Sequence, residues 1–204
     1  MLHFETVSPS ALELLTSLQQ IAIFKDLRLV GGTSLALQYG HRKSIDIDLF
    51  GPLDADELEI SEELGHLGQI KQLQKSKNIF VYLINGIKTD IVRYKYPWLE
   101  EVQLIDGIRF AGKMDIAAMK LAAITGRGTK KDFIDIWFLL KEFTMKQLIE
   151  FYLKKYSDGT EFLVLKSLGY FADADTDPMP IMLNNTDWIS IKDAIRASLS
   201  NYLR

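Results

Sequence analysis

Cysteine is absent from the 204-residue sequence. Disulfides, thiolate metal sites and a cysteine nucleophile are therefore excluded, and the composition fits a reducing compartment such as the cytoplasm. The N-terminal sequence lacks the basic and then apolar layout of a secretory signal peptide. No apolar run approaches the roughly 20 residues that are needed to span a bilayer. We therefore expect a cytoplasmic protein without a membrane partner.

Excess positive charge is also lacking, since the net charge is −3 and the pI is about 5.7. A general nucleic-acid binder would be more basic, because phosphate neutralisation drives its affinity. Any nucleic-acid partner must therefore meet a local basic patch, for which solvated surface charge is the alternative interpretation. The candidate patches are Lys71, Lys75 and Lys77, then Lys88, Arg93 and Lys95, then Arg127, Lys130 and Lys131. Only three histidines are present, so a histidine-rich metal site is not expected.

Apolar residues make up 48% of the chain, which is enough for a sizeable core. The first half predicts a mixed α/β unit. Ser8 and Pro9 indicate a helix start, Gly40 a helix end, and Asn85-Gly86 and Asp106-Gly107 tight turns. The predicted helices are 9–24, 34–39 and 54–64, and the predicted strands are 27–30, 45–50, 69–74, 78–84 and 87–94.

The second half is helical in pattern, with Thr144 and Thr160 as N-cap candidates. The predicted helices are 113–126, 131–142, 144–157, 160–172 and 190–203, with a loop at 173–180. We therefore predict an α+β protein with a core domain at residues 1–112 and a helical region at residues 113–204.

Two carboxylates lie on one strand in the segment Ile45 to Phe50. Side chains two apart on a strand share a face, so Asp46 and Asp48 should point the same way while Ile45, Ile47 and Leu49 point into the core. Paired carboxylates repel each other unless a cation lies between them, and Mg²⁺ prefers oxygen ligands. The pattern predicts a magnesium site with one or two ions.

Asp90 lies on a later predicted strand whose neighbours Ile91 and Val92 are apolar. If that strand is adjacent to the first, Asp90 completes a carboxylate triad, either as a metal ligand or as the base for an incoming hydroxyl. Gly31, Gly32 and Thr33 precede the predicted helix 34–39, which begins at Ser34, and these four residues could bind phosphate at its N-terminus. Arg42 could also reach phosphate.

The combination of these motifs resembles the nucleotidyltransferase superfamily with the polymerase-β-like fold. Within it the sequence is most similar to the AbiEii/AbiGii toxin family of bacterial toxin–antitoxin and phage-defence systems. The likeness rests on GGTSLALQYGHRKSIDIDLF and on KLAAITGRGTKKDFIDIWFLL. It extends through most of residues 8–142.

Lys120 and Arg127 are seven residues apart, so both lie on one face of the helix 113–126 or at its end. Such cations could grip the phosphates of a nucleotide. The resemblance implies that Lys120 contacts the nucleotide and that Asp132 or Asp135 belongs to the active site. The alternatives are structural: Asp132 could cap its helix, and Asp135 could pair with Arg127 or Lys131.

The resemblance implies a Mg²⁺-dependent transfer of NMP from an NTP to an acceptor hydroxyl. It suggests RNA as the acceptor, with tRNA 3′ ends leading, and an antitoxin protein as partner. A protein or small-molecule hydroxyl is the alternative acceptor. A further alternative is a catalytically inactive module of the same fold that binds nucleotide or a partner.

Overall fold

The structure is a computed structural model that describes all residues from Met1 to Arg204. The polypeptide forms two compact units. The sheet unit comprises Met1–Lys95 and Val102–Ala111, and the helical unit comprises Tyr96–Glu101 and Gly112–Arg204. None of the helices combines the length and the apolar character that crossing a lipid bilayer requires.

The sheet unit is built on one seven-stranded mixed sheet in the order β3-β4-β5-β2-β1-β7-β6. Two pairings are parallel, β2 with β5 and β1 with β7, and the other four are antiparallel. The strands are β1 (Arg28–Leu29), β2 (Ile47–Gly51), β3 (Ile70–Lys75), β4 (Ile79–Ile84), β5 (Ile87–Arg93), β6 (Gln103–Ile105) and β7 (Ile108–Phe110).

Three helices accompany the sheet: α1 (Pro9–Gln20), α2 (Gly31–Tyr39) and α3 (Glu57–Gly65). Ser8 caps α1 by accepting a hydrogen bond from the Ala11 amide, as Ser8-Pro9 predicts. Asp56 and Glu59 form a capping box at the start of α3. One core of buried apolar side chains joins α1 and α3 to the sheet, including Leu18, Leu49 and Ile91. The opposite face of β2 therefore carries Asp48, its one polar side chain.

The predicted tight turns are present. Asn85 and Gly86 both have positive φ, 49° and 84°, and connect β4 to β5. Asp106 and Gly107 likewise have φ values of 50° and 79° and connect β6 to β7. The sequence indicated the second turn but not its flanking strands, because three-residue strands carry too little alternation to be recognised.

The helical unit contains six helices, which pack mainly around α4 and α6. They are α4 (Lys113–Gly126), α5 (Lys130–Leu139), α6 (Met145–Lys155), α7 (Glu161–Leu168), α8 (Ala172–Thr176) and α9 (Trp188–Tyr202). Thr144 and Thr160 cap α6 and α7 through their side chains, as predicted. The predicted loop at 173–180 is wrong in its first part, because α8 occupies Ala172–Thr176.

A buried ion pair fixes the Tyr96–Glu101 segment inside the helical unit. The Lys155 ammonium lies 2.6 Å from an Asp115 carboxylate oxygen, and both side chains are 0% exposed. Lys155 also donates to the Pro97 carbonyl. Asp115 accepts hydrogen bonds from the backbone amides of Leu99 and Glu100. These bonds satisfy both charges and hold the segment against α4 and α6.

Two predicted boundaries near the carboxylates are wrong. The helix α2 begins at Gly31, so Gly31 to Ser34 form its first turn rather than a loop ahead of it. The strand β2 begins at Ile47, which leaves Asp46 just before the strand. Ile45 was expected in the core, but it is 67% exposed. The period-2 pattern therefore holds only from Ile47 onward.

We expect Lys155→Met to lower the free energy of unfolding by about 3 kcal/mol, because Asp115 is left buried without its counter-ion. Urea denaturation measures the loss. Lys146→Met is the matched control, since Lys146 pairs with Glu150 at the surface and its loss should change stability by less than about 0.5 kcal/mol. Equal effects of the two substitutions would contradict the structural role of Lys155.

Candidate active site

Asp48 and Asp90 lie side by side on neighbouring parallel strands. They are register partners in the pairing of β2 with β5, so their side chains leave the same face of the sheet. Adjacent strands are about 4.8 Å apart. Ile47 and Leu49 are buried on the opposite face, as predicted. The predicted condition for placing Asp90 beside Asp48 is therefore met, because β5 is the direct neighbour of β2.

Gly31 is the residue of α2 that the Asp48 carboxylate meets. Gly31 has a φ of 70°, a left-handed conformation that favours glycine. A Cβ atom at this position would collide with Asp48 Oδ2 and would lie 3.0 Å from its Cγ. Val30, the N-cap residue, offers no side-chain hydrogen bond to the first turn. The glycine therefore lets the carboxylate approach the positive end of the helix.

Gly32 makes room for Arg42 in the same way. A Cβ atom on Gly32 would collide with the Arg42 guanidinium and would lie 3.3 Å from its Cζ. Arg42 is buried and donates a hydrogen bond to the Lys43 carbonyl. Its guanidinium is thus held beside the first turn of α2, where a phosphate could meet both the cation and the helix N-terminus.

The hydroxyls of Thr33 and Ser34 point into the protein. Both residues are buried. Thr33 Oγ1 donates to the Asp46 carbonyl and lies 2.8 Å from Ser44 Oγ, and Ser34 Oγ accepts from Gln38. These bonds anchor the chain before β2 to α2. A phosphate-binding role for Thr33 and Ser34 stays a prediction.

Asp90 has a cationic neighbour, Lys88, which the sequence suggested only as part of a surface patch. Lys88 Nζ lies 2.5 Å from Asp90 Oδ1, and the Asp90 side chain is 22% exposed. Residues 88 and 90 share a face of β5, so this contact was derivable from the alternation used for Asp46 and Asp48. The lysine neutralises one of the two adjacent carboxylates.

The oxygen donors of this face suit a hard divalent ion such as Mg²⁺. Two features of the structure fit such an ion: Gly31 admits the Asp48 carboxylate at the start of α2, and a cation, the Lys88 ammonium, already lies at Asp90. However, the structure contains no group of three or more His, Asp or Glu side chains close enough together to hold a metal. The three-carboxylate site with Asp46, Asp48 and Asp90 therefore stays a prediction.

Lys120, on α4 of the helical unit, connects both candidate aspartates of α5. Its ammonium lies 2.9 Å from Asp132 Oδ1 and 2.7 Å from Asp135 Oδ2. All three residues are buried. Asp132 also accepts a hydrogen bond from Thr129 Oγ1. The cluster locks α4 to α5, which is a structural function for residues that the resemblance assigns to the active site.

The charge of Lys120 controls the ionisation of Asp132. Burial raises the pKa of the Asp132 carboxyl, but the Lys120 ammonium and the hydrogen bonds from Thr129 and Lys120 outweigh burial and leave that pKa below its ordinary value. Arg127 lies at the C-terminal cap of α4, 75% exposed and 3.8 Å from Asp132 Oδ2. Of the two cations of the helical unit that were predicted to bind phosphate, Arg127 is the accessible one.

Several residues of the candidate basic patches have partners within the protein. Lys75 pairs with Glu57, and Lys130 is buried and donates to the Asp177 carbonyl. Arg93 donates to the Ala55 and Lys77 carbonyls beside an open cleft of about 500 Å³ near the start of α3. These contacts reduce the charge available to a nucleic acid.

The aromatic residues at the end of β5 and just after it contact other side chains of the protein. Tyr94 packs against Phe50 with ring centroids 5.5 Å apart. Tyr96 packs edge-on against Tyr156 at 4.7 Å. The Lys155 ammonium lies 4.6 Å from the Trp98 ring centroid. Tyr96 is nevertheless 44% exposed, and Tyr94 and Trp98 are only partly buried.

Comparisons with known proteins agree with this architecture. The family model described as nucleotidyl transferase AbiEii toxin, type IV TA system, matches residues 13–110. The uncharacterized protein aq_aa25 of Aquifex aeolicus (strain VF5) is 35% identical over 205 residues, which cover 94% of this chain and 95% of that protein.

Two solved structures share the fold. JHP933 from Helicobacter pylori aligns with a TM-score of 0.59 and 21% identity, covering 96% of this chain and 92% of its own. MenT4, a nucleotidyltransferase toxin from Mycobacterium tuberculosis H37Rv, aligns with a TM-score of 0.56 and 14% identity, covering 92% and 79%. The predicted α+β nucleotidyltransferase fold is confirmed.

We expect Gly31→Ala to destabilise the protein by about 1–2 kcal/mol, because an L-residue is strained at this positive φ and its Cβ would displace the Asp48 carboxylate. Urea denaturation tests this. Gly65→Ala is the control: Gly65 ends α3 with nothing within 4 Å of a Cβ, so alanine should be neutral or stabilising there. If Gly31→Ala were equally neutral, the close approach of Asp48 would be wrong.

We expect Lys120→Met to destabilise the protein by about 3–5 kcal/mol at pH 7, because two buried aspartates lose their cation. The wild-type contribution of Asp132 is present above its unfolded pKa and is lost as the pH falls through its lowered folded pKa. In the variant, burial favours protonated aspartates. The stability difference between the two proteins should therefore shrink toward pH 4.

Urea denaturation at pH 7 and near pH 4 measures that difference. Lys131→Met is the matched control, since Lys131 is the exposed neighbour on α5 and its removal should have little effect at either pH. If the stability difference between the wild type and Lys120→Met were independent of pH, the cluster of Lys120, Asp132 and Asp135 would not be ionised.

Proposed function

The chain belongs to the AbiEii family of nucleotidyl transferase toxins, and we propose that it transfers NMP from an NTP to an acceptor hydroxyl with release of pyrophosphate. The observation that carries this proposal is the juxtaposition of Asp48 and Asp90 on adjacent strands beside Gly31 at the start of α2. Carboxylates and a helix N-terminus on one sheet face supply the two halves of a metal–triphosphate site.

In the proposed site Asp48 and Asp90 hold Mg²⁺, with Asp46 as the third ligand. The ion would stabilise the attacking oxygen and the leaving phosphate. The amides of Gly31 and Gly32 and the Arg42 guanidinium bind phosphate oxygens. Asp90, if it does not bind the ion directly, accepts the proton of the incoming hydroxyl.

The sequence resemblance also suggests roles in nucleotide binding for residues of the helical unit. Lys120 and Arg127 neutralise the triphosphate, and Asp135 orients Lys120 through the ion pair between them. The exposure of the Arg127 side chain supports its proposed role in binding phosphate. For Lys120, a phosphate must compete with the two buried aspartates that now bind its ammonium.

We propose RNA, with the tRNA 3′ end as the leading case, as the acceptor, and an antitoxin protein as a partner in the cytoplasm. The sequence resemblance and the toxin–antitoxin description of the family support this choice. A protein or small-molecule hydroxyl is the second candidate. The net charge of −3 and the internal pairing of Lys75 and Lys130 favour it.

Incubation of the protein with each of the four radiolabelled NTPs, Mg²⁺ and either bulk tRNA or cell protein tests the proposal. Label in tRNA supports the first acceptor, and label in protein or in small molecules supports the second. We expect Asp48→Asn and Asp90→Asn to reduce transfer by more than about a hundredfold, since each removes a ligand of the ion. Asp46→Asn should impair transfer as well.

Asp106→Asn is the matched control for these variants. Asp106 lies in the exposed turn between β6 and β7 at a φ of 50°, which asparagine tolerates. Its transfer rate should equal that of the wild type, and circular dichroism should show all variants folded. Full activity in Asp48→Asn would refute the assignment of the site.

A further inference from the structure

Lys88 is the cation nearest to the proposed metal ligands. It stands two residues before Asp90 on β5, on the same face, and its ammonium contacts Asp90 Oδ1 at 2.5 Å. The Lys88 side chain is 41% exposed, so solvent and ligands can reach it. In the absence of an ion, this ammonium offsets the repulsion between Asp90 and the neighbouring Asp48.

The neighbours of Lys88 toward the sheet edge offer it no other anion. Its register partner on β4 is Leu83, and the partner of Leu83 on β3 is Lys71. Leu83 cannot accept a hydrogen bond through its side chain, and Lys71 repels a second ammonium. If the Lys88 ammonium moves from Asp90 toward β4 and β3, it can therefore contact only solvent or an anionic ligand.

We propose that Lys88 is a positioning residue that competes with the divalent ion for Asp90. A divalent ion and an ammonium at one carboxylate repel each other strongly, so metal binding at Asp90 displaces Lys88. The need to displace Lys88 lowers the apparent affinity of Asp90 for the ion. The displacement also releases a cation on the face where the phosphates of the substrate arrive, which couples ion binding to substrate binding. This inference rests on the proposed function, because it requires that Asp90 hold the ion.

The alternation of side chains along β5 requires a competing lysine to lie two residues from the aspartate. A residue one or three positions away would leave the strand on the opposite face, where Thr89 and Ile91 are buried. Only the i−2 and i+2 positions reach Asp90 along β5, and the i+2 residue is the apolar Val92. Lys88 is therefore the one side chain of β5 placed to exchange with an ion at Asp90.

Isothermal titration of the metal-free protein with Mn²⁺ alone, a substitute for Mg²⁺, tests the competition without any turnover. Lys88→Met should bind Mn²⁺ about fivefold more tightly than the wild type, because both the competitor and its repulsion are removed. Lys88→Arg keeps the cation and should restore the wild-type affinity. Lys75→Met removes a comparable ion pair, with Glu57, elsewhere in the sheet unit and should leave Mn²⁺ affinity unchanged.

The double variant Lys88→Met/Asp90→Asn tests whether Lys88 changes the Mn²⁺ affinity through Asp90. Its Mn²⁺ affinity should equal that of Asp90→Asn alone, since Lys88 acts through Asp90. In the transfer assay, Lys88→Met should reach half-maximal rate at a lower Mg²⁺ concentration.

The possible failures are distinguishable. Unchanged or weaker Mn²⁺ binding by Lys88→Met, with binding still dependent on Asp90, overturns the competition and leaves the proposed function standing. Mn²⁺ binding that is undetectable, or insensitive to Asp90→Asn, overturns both.

Discussion

The parallel pairing of β2 with β5 is the constraint on which the candidate site depends. Parallel neighbours cannot be joined by a tight turn, and here the connection runs through α3 and the β3–β4 hairpin before β5 returns beside β2. That return fixes Asp48 level with Asp90. Two unit charges about 5 Å apart repel by on the order of 3 kcal/mol at an effective dielectric constant of 20. This repulsion between Asp48 and Asp90 favours positive charge nearby, which the Lys88 ammonium and the N-terminus of α2 supply.

Local chemistry was sufficient to predict many of the boundaries. Ser8-Pro9, Thr144 and Thr160 act through bonds within a few residues, so their motifs identified real helix starts. Asn85-Gly86 likewise identified a real hairpin because both residues tolerate positive φ. In contrast, the start of β2 depends on long-range pairing with β5. Alternation alone therefore extended the strand too far and placed the exposed Ile45 in the core.

The candidate site shows the same division between local and long-range information. The sequence predicted that Asp90 would join Asp48 if their strands were neighbours, and the structure supplies that adjacency. The interpretation of Gly31 as a residue that makes room for Asp48 needed the tertiary contact. For Lys120 the sequence could not distinguish two roles. A lysine followed by two aspartates has the same pattern whether it binds a nucleotide or joins two helices, and only the structure shows its contacts with Asp132 and Asp135.

The path of the polypeptide has a consequence for how such proteins can diversify. The backbone passes from the sheet unit to the helical unit at residue 96, returns at 102 and leaves again at 112. The short excursion is fastened by Asp115 and Lys155, which lie much later in the chain. A single genetic crossover would therefore either separate these partners or remove β6 and β7 from their sheet. The two units are expected to be inherited together, with variation confined to substitutions and to insertions in surface loops.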